Sequence, residues 1–199
     1  MTATTVFAQS ADTYPAKPVR VIVGLAPGGG TDIIARLLTQ KMSDNLKRSF
    51  IVENRTGAGG TVAYATVAKS APDGYTLLAV ASGYSITPAV YPKLSYDPIK
   101  DFTPISVVVQ APIVLMVHPA LPARSVKDLL ALARSPRAHL DAASAGHGTS
   151  NHLALELFNS LAGVKIAHVP YKGTGQALVD LMAGQVQVCS AIYCRRCST

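Results

Sequence analysis

The feature that most constrains this chain is a unit that recurs along it: a short apolar run, a turn of glycines and other small residues, then an amphipathic helix. "VRVIVGL" (19–25) is a continuous apolar run of the kind buried on both faces of a parallel sheet. "APGGG" follows, and "TDIIARLLTQKMSDNLK" then places Ile33, Ile34, Leu37, Leu38 and Met42 on one stripe, opposite Arg36, Gln40, Lys41 and Asp44. The unit repeats as "SFIVENR" (49–55), "TGAGGT" and the helical "VAYATVAKSA", and "YTLLAVAS" (75–82) supplies a third strand. This β-α-β-α-β order requires right-handed crossovers and predicts a parallel sheet.

A Pro- and Tyr-rich connection follows from Gly83 to Ile105, where a domain crossing is expected. Beyond it "SVVVQAPIVLMVHP" (106–119) reads as a strand region broken at Pro112. "SVKDLLALARS" (125–135) reads as a helix capped by Ser125, with Asp128 at the capping-box position. Two more strand-to-helix turns, "LDAASAGHGTS" into "NHLALELFNSLAG" and "KIAHVPYKGTG" into "QALVDLMAGQ", predict a second small α/β sheet. The fold class is therefore α/β, in two lobes.

Four turns of small residues, at 27–32, 57–61, 145–150 and 172–175, lie at carboxyl ends of predicted parallel strands. Such turns line ligand crevices, and helix N-termini present unpaired N–H groups and a positive dipole end. An anion is the expected ligand, most simply a carboxylate. Phosphate motifs fit poorly, because no G-x-x-x-x-G-K-[ST] occurs and neither Gly28-Gly29-Gly30 nor Gly57-Ala58-Gly59 extends to G-x-G-x-x-G.

Charge and composition exclude other classes. The formal net charge is +7, yet the basic residues are scattered and Trp is absent, so nucleic acid is not an expected partner. No run approaches the ~18–20 apolar residues of a membrane-spanning helix. Cys189, Cys194 and Cys197 crowd the end of the chain in an odd number, with no fourth ligand nearby, so neither a disulfide framework nor a metal site is expected there. A hydrolase is the alternative, because "ASAG" around Ser144 approaches the nucleophile elbow G-x-S-x-G, with Ala142 in place of the first glycine. The order opposes it: after Ser144, His147, His152 and His168 all precede the plausible acid Asp180, where that fold requires the acid before the histidine. All three histidines are read as structural, and no catalytic residue, metal or cofactor is expected.

Read in order, "PVRVIVGLAPGGGTDIIARLL", "VENRTGAGGTVA", "APDGYTLL", "YDPIKDFTPIS", "ASAGHGTSNHLALELF" and "VPYKGTGQALVDLMAGQVQV" closely resemble the Bug-type substrate-binding receptors of tripartite tricarboxylate transporters, over about residues 15–188. The resemblance implies a periplasmic, non-enzymatic, two-lobed binding protein of the type II or Venus flytrap class. Such a receptor captures a small carboxylate for the membrane permease subunits of the transporter. It also implies a first lobe at 15–103, a second at 104–188, and a ligand in the cleft between them. The residues it points to are Gly29, Gly30, Thr31, Asp32 and Ser82 from the first lobe, and Ser144, Ala145, Gly148, Thr149, Ser150 and Tyr171 from the second. Gly29, Gly30 and Thr31 would hold one end of the ligand; Ala145, Gly148, Thr149 and Ser150 would hold the other.

Departures from the family pattern are equally specific. Leu25-Ala26 stands where an aromatic-proline pair is common. Residues 1–14 resemble the remnant of a signal peptide. The tail 189–199, "CSAIYCRRCST", is atypical and the fold is expected to be incomplete at the C-terminus, with first-lobe apolar surface left uncovered.

Overall fold

The computed structural model describes residues 14–135 and 139–192. The expected signal remnant, Cys194, Cys197 and the rest of the tail beyond residue 192 fall almost entirely outside them. Among the described residues seven strands form two sheets. In the first lobe, β1 (Val19–Val23) pairs in parallel with β2 (Phe50–Asn54) on one side and β3 (Thr76–Ala79) on the other. Its position in the middle explains its composition, because Val19, Ile22 and Val23 are fully buried with a sheet neighbour on each side and side chains packed above and below. Helix α1 (Gly30–Leu46) crosses from β1 to β2, and α2 (Thr61–Ala68) from β2 to β3. Edge-to-face contacts among Tyr64, Tyr84, Tyr96 and Phe102 then tie α2 to the Tyr-rich connection. Within that connection lies the short helix α3 (Thr87–Val90).

The second sheet has the order β4-β7-β5-β6. Strand β5 (Asp141–Ser144) is parallel to both β6 (Ala167–Pro170) and β7 (Val188–Ile192), while β4 (Ile113–Val117) runs antiparallel to β7. Helix α4 (Val126–Ala133) begins as its sequence predicts, with the Ser125 hydroxyl accepting from Asp128 N–H at 3.1 Å. The Asp128 carboxylate reaches back one residue further than a standard capping box, to the N–H of Arg124. Helices α5 (Ser150–Ala162) and α6 (Thr174–Met182) complete the lobe around two apolar clusters centred on Leu129, Leu155, Ile166 and on Ala177, Leu181, Val186. Among the described residues no helix is long and apolar enough to cross a membrane.

Three expectations are corrected. The atypical tail does not start at residue 189: Cys189, Ser190 and Ala191 are the buried interior of β7, whose small side chains fit between the helices on either face. Only Ile113–Val117 of the region 106–119 is a strand, and Ile105, Val107, Val108 and Val109 run exposed without a ladder partner. Only part of the α1 stripe faces the sheet: Met42 packs against Val19, Val21 and Phe50, while Asp32, Ala35 and Thr39 turn inward and leave Ile33 and Leu37 about half exposed.

Candidate functional site

Each turn that was singled out in the sequence ends a strand and starts a helix on the side where the two lobes meet. Three helix N-termini converge there. Gly30 and Thr31 open α1, Ser150 and Asn151 open α5, Thr174 opens α6, and all five residues line one cavity together with Ala145 and Thr149. The first N–H groups of a helix have no intrahelical partner and carry the positive end of its dipole. Three such ends directed at one point form an environment suited to an anion. As the lobes stand, the cavity encloses about 20 Å³, room for about one water molecule. A molecule of several carbons fits there only if the lobes part.

Close approach of the two lobes depends on the absence of side chains. A Cβ on Gly59 would collide with the His147 carbonyl oxygen, one on Gly83 would lie 3.2 Å from Ser150 N, and one on Gly173 would lie 3.0 Å from Ala26 N. The Ala26 N–H donates to Lys172 O at 2.8 Å, a direct main-chain bond between lobes, and Gly30 N–H donates to Thr174 Oγ1 at 3.4 Å. Tyr91 adds a third link by donating to His147 O. Glycine at these turns thus serves backbone contact across the cleft as well as access to the amides.

The sequence-predicted residues divide by position. Gly30, Thr31, Ala145, Thr149 and Ser150 line the cavity. Gly29 caps α1 beside it, facing Thr174 Oγ1. Gly148 (φ +72°) packs instead against Val90 and Tyr91, and the Ser82 carbonyl holds the Ser85 hydroxyl while its neighbours Ala81 and Gly83 line the cavity. Asp32 is buried with both carboxylate oxygens engaged: Oδ2 accepts from Gly28 N–H and Arg36 Nε, and Oδ1 from Asn54 Nδ2. Burial pushes its pKa up, but Arg36, Gly28 N–H and Asn54 together outweigh burial and hold it below the usual carboxylate range. Asp32 therefore folds the 26–32 turn onto itself. Tyr171 donates to Asp180 Oδ2 at 2.6 Å; burial, and then this bond, push its pKa up to about 12.

Lining residues that sequence reasoning did not single out include Tyr64, Ala81, Asn151, Thr174 and Ile192. Thr174 was within reach, since it lies in the fourth glycine turn. Tyr64 and Ile192 arrive only through packing of α2 and β7.

Ser144 lies 2.6 Å from His168 Nε2, a pair that chain order obscured because it depends on β5 and β6 being neighbours. Ser144 is fully buried and also accepts from Gly146 N–H, and the groups acting on His168 are burial, His152 and His147, with no carboxylate among them. Among the described residues the pair shows neither the access nor the orienting acid that a serine nucleophile uses.

Comparison with known proteins agrees with this geometry. The family described as tripartite tricarboxylate transporter family receptor matches residues 34–195. BugT of Bordetella pertussis is 40% identical over 179 residues, covering 89% of this chain and 55% of BugT. Among solved structures, Rpa4515 of R. palustris with adipate superimposes with a TM-score of 0.86 at 38% identity, and MatC of Rhodopseudomonas palustris with bound malate with 0.84 at 37%. Each superposition covers 90% of this chain, and 60% and 61% of the respective structures. The chain spans about half the length of the curated relatives it matches. With the family matching along most of its length and the periplasmic binding-protein fold shared in both lobes, this chain belongs to the receptor family of the tripartite tricarboxylate transporters.

Proposed function

We propose that the cleft captures a small carboxylate and delivers it to the membrane permease subunits of a tripartite tricarboxylate transporter on the periplasmic side. The observation that carries this reading is the convergence of three helix N-termini on one cavity between the lobes, with Gly30 and Thr31 on one wall and Ala145, Thr149 and Ser150 on the other. In this reading Gly29, Gly30 and Thr31 hold one carboxylate through main-chain N–H groups and a hydroxyl. Ala145 and Ser150 hold the other end across the cleft, and Asp32, Ser144, Gly148, Thr149 and Tyr171 keep the turns in shape. Two family structures carry malate and adipate, which makes a four- to six-carbon dicarboxylate the first candidate.

Calorimetric titration of the 199-residue protein with malate, succinate, adipate and citrate tests it. Binding of at least one acid is expected, weakened at least about tenfold in Thr31→Val, which loses one hydroxyl of the wall (about 1.4 kcal/mol). Heat from none of the four acids would overturn the proposal.

A further inference from the structure

The turn after β5, the first turn of α5 and strand β6 bring His147, His152 and His168 together. Each offers a ring nitrogen, and these three nitrogens lie within 4.8 Å of one another. The His152 and His168 rings are stacked at 4.0 Å, and His147 stands edge-on to both, at 4.7 and 5.3 Å. His147 is exposed, while His152 keeps 12% of its side chain accessible. The carboxylate-binding role uses none of these rings.

Three imidazoles so placed cannot share a positive charge cheaply. Metal binds histidine through an unprotonated ring nitrogen, and each of the three rings offers one. Polar neighbours hold the rings: Ser144 Oγ lies 2.6 Å from His168 Nε2, and Gly148 N–H donates to His152 Nδ1 at 3.3 Å, a bond that a metal taken up through that nitrogen would replace. Such partners orient metal-binding imidazoles and set which nitrogen carries the proton. Two nitrogens on a tetrahedral zinc with bonds of ~2.0–2.1 Å are roughly 3.4 Å apart, so the rings must draw in by about an ångström. His147 has room to do so, being exposed on a turn between two glycines.

We propose that His147, His152 and His168 form a three-nitrogen site for one divalent transition-metal ion of the zinc class, with its fourth position open to solvent on the His147 side. Imidazole-only donor sets favour zinc, nickel and copper over magnesium and calcium, which require oxygen ligands. Sequence reading treated these histidines as structural, because His168 joins the other two only through the pairing of β5 with β6.

The test uses untagged protein carrying Cys194→Ser and Cys197→Ser, so that the terminal thiols contribute nothing, stripped with chelator and titrated calorimetrically with ZnCl2 and separately with MgCl2. One equivalent of Zn2+ is expected, with no heat from Mg2+. His147→Ala, on an exposed turn and so compatible with an unchanged urea midpoint, should lose more than about 100-fold in zinc affinity, since even outer partners of a ligand cost 10–100-fold. Co2+ substitution should give visible bands of a nitrogen-ligated low-coordinate site, absent in His147→Ala. No zinc uptake, or uptake unchanged in His147→Ala, would overturn the proposal and leave the three rings as a packed aromatic cluster. Carboxylate titration of the same variant reads the cleft separately.

Discussion

Replacing Asp32 with alanine removes the acceptor that closes the first glycine turn. Three donors lose their partner: Gly28 N–H at 3.0 Å, Asn54 Nδ2 at 2.9 Å and Arg36 Nε at 3.0 Å. They do not count equally. Arg36 keeps half its side chain in water and is rehydrated at little cost, contributing roughly 0.3–0.5 kcal/mol as an i,i+4 pair. Gly28 is exposed and its N–H is likewise rehydrated, whereas one hydrogen of half-buried Asn54 is left facing the pocket that the buried carboxylate filled, at about 1–3 kcal/mol. The total loss expected is about 1.5–3.5 kcal/mol, read as a lowered urea midpoint of the first lobe at pH 7. The sign of its pH dependence follows from the depressed native pKa of Asp32. Its contribution is fully present above the unfolded value of about 3.9 and disappears as pH falls through the lower native one. Wild type and Asp32→Ala should therefore converge only in acid. A difference under about 0.5 kcal/mol at pH 7, or one that persists undiminished near pH 2, would refute the assignment of Asp32 to turn shape.

Gly59→Ala introduces a methyl group against the His147 carbonyl at a residue with φ +64°, so the lobes should stand further apart. Small-angle scattering should show a larger radius of gyration, and carboxylate affinity should fall about tenfold or more. Cys189 is fully buried in β7 and burial raises its pKa to about 11, so in a Cys194→Ser/Cys197→Ser protein a thiol reagent should label it slowly at pH 8 and rapidly once urea is added. Ser144→Ala should cost about 1–3 kcal/mol by leaving Gly146 N–H without its acceptor, and should leave any background hydrolysis of a nitrophenyl ester unchanged. Loss of ester turnover in that variant would revive the hydrolase reading.

How far the sequence could be read follows from the range of the interactions involved. The β1-α1-β2-α2-β3 order was legible because a buried strand and an amphipathic helix each write their own period locally, and the glycine turns marked every crossing. Pairing is not local. Nothing in "SVVVQAP" says that its strand-like residues lack a partner, and nothing in "QVCSAI" says that it lies between β4 and β5. The α1 stripe misled in part for the same reason: Asp32 is held inward by Asn54 of β2, at the expense of burying Ile33 and Leu37. At the site, the loops were foreseen as backbone donors, but the cavity-lining Tyr64 and Ile192, and the meeting of Ser144 with His168, required the packed lobes.

Strand β7 sits inside its sheet, antiparallel to β4 and parallel to β5, although five other elements separate it in the chain from β4. Strands β5 and β6 are close in the chain and can pair early, whereas β4 keeps an unfilled seam beside it until residues 188–192 are in place. The second lobe therefore acquires its cooperativity in one late insertion step, and any interruption of the chain ahead of that strand would release two half-sheets with open edges to the cell's quality control.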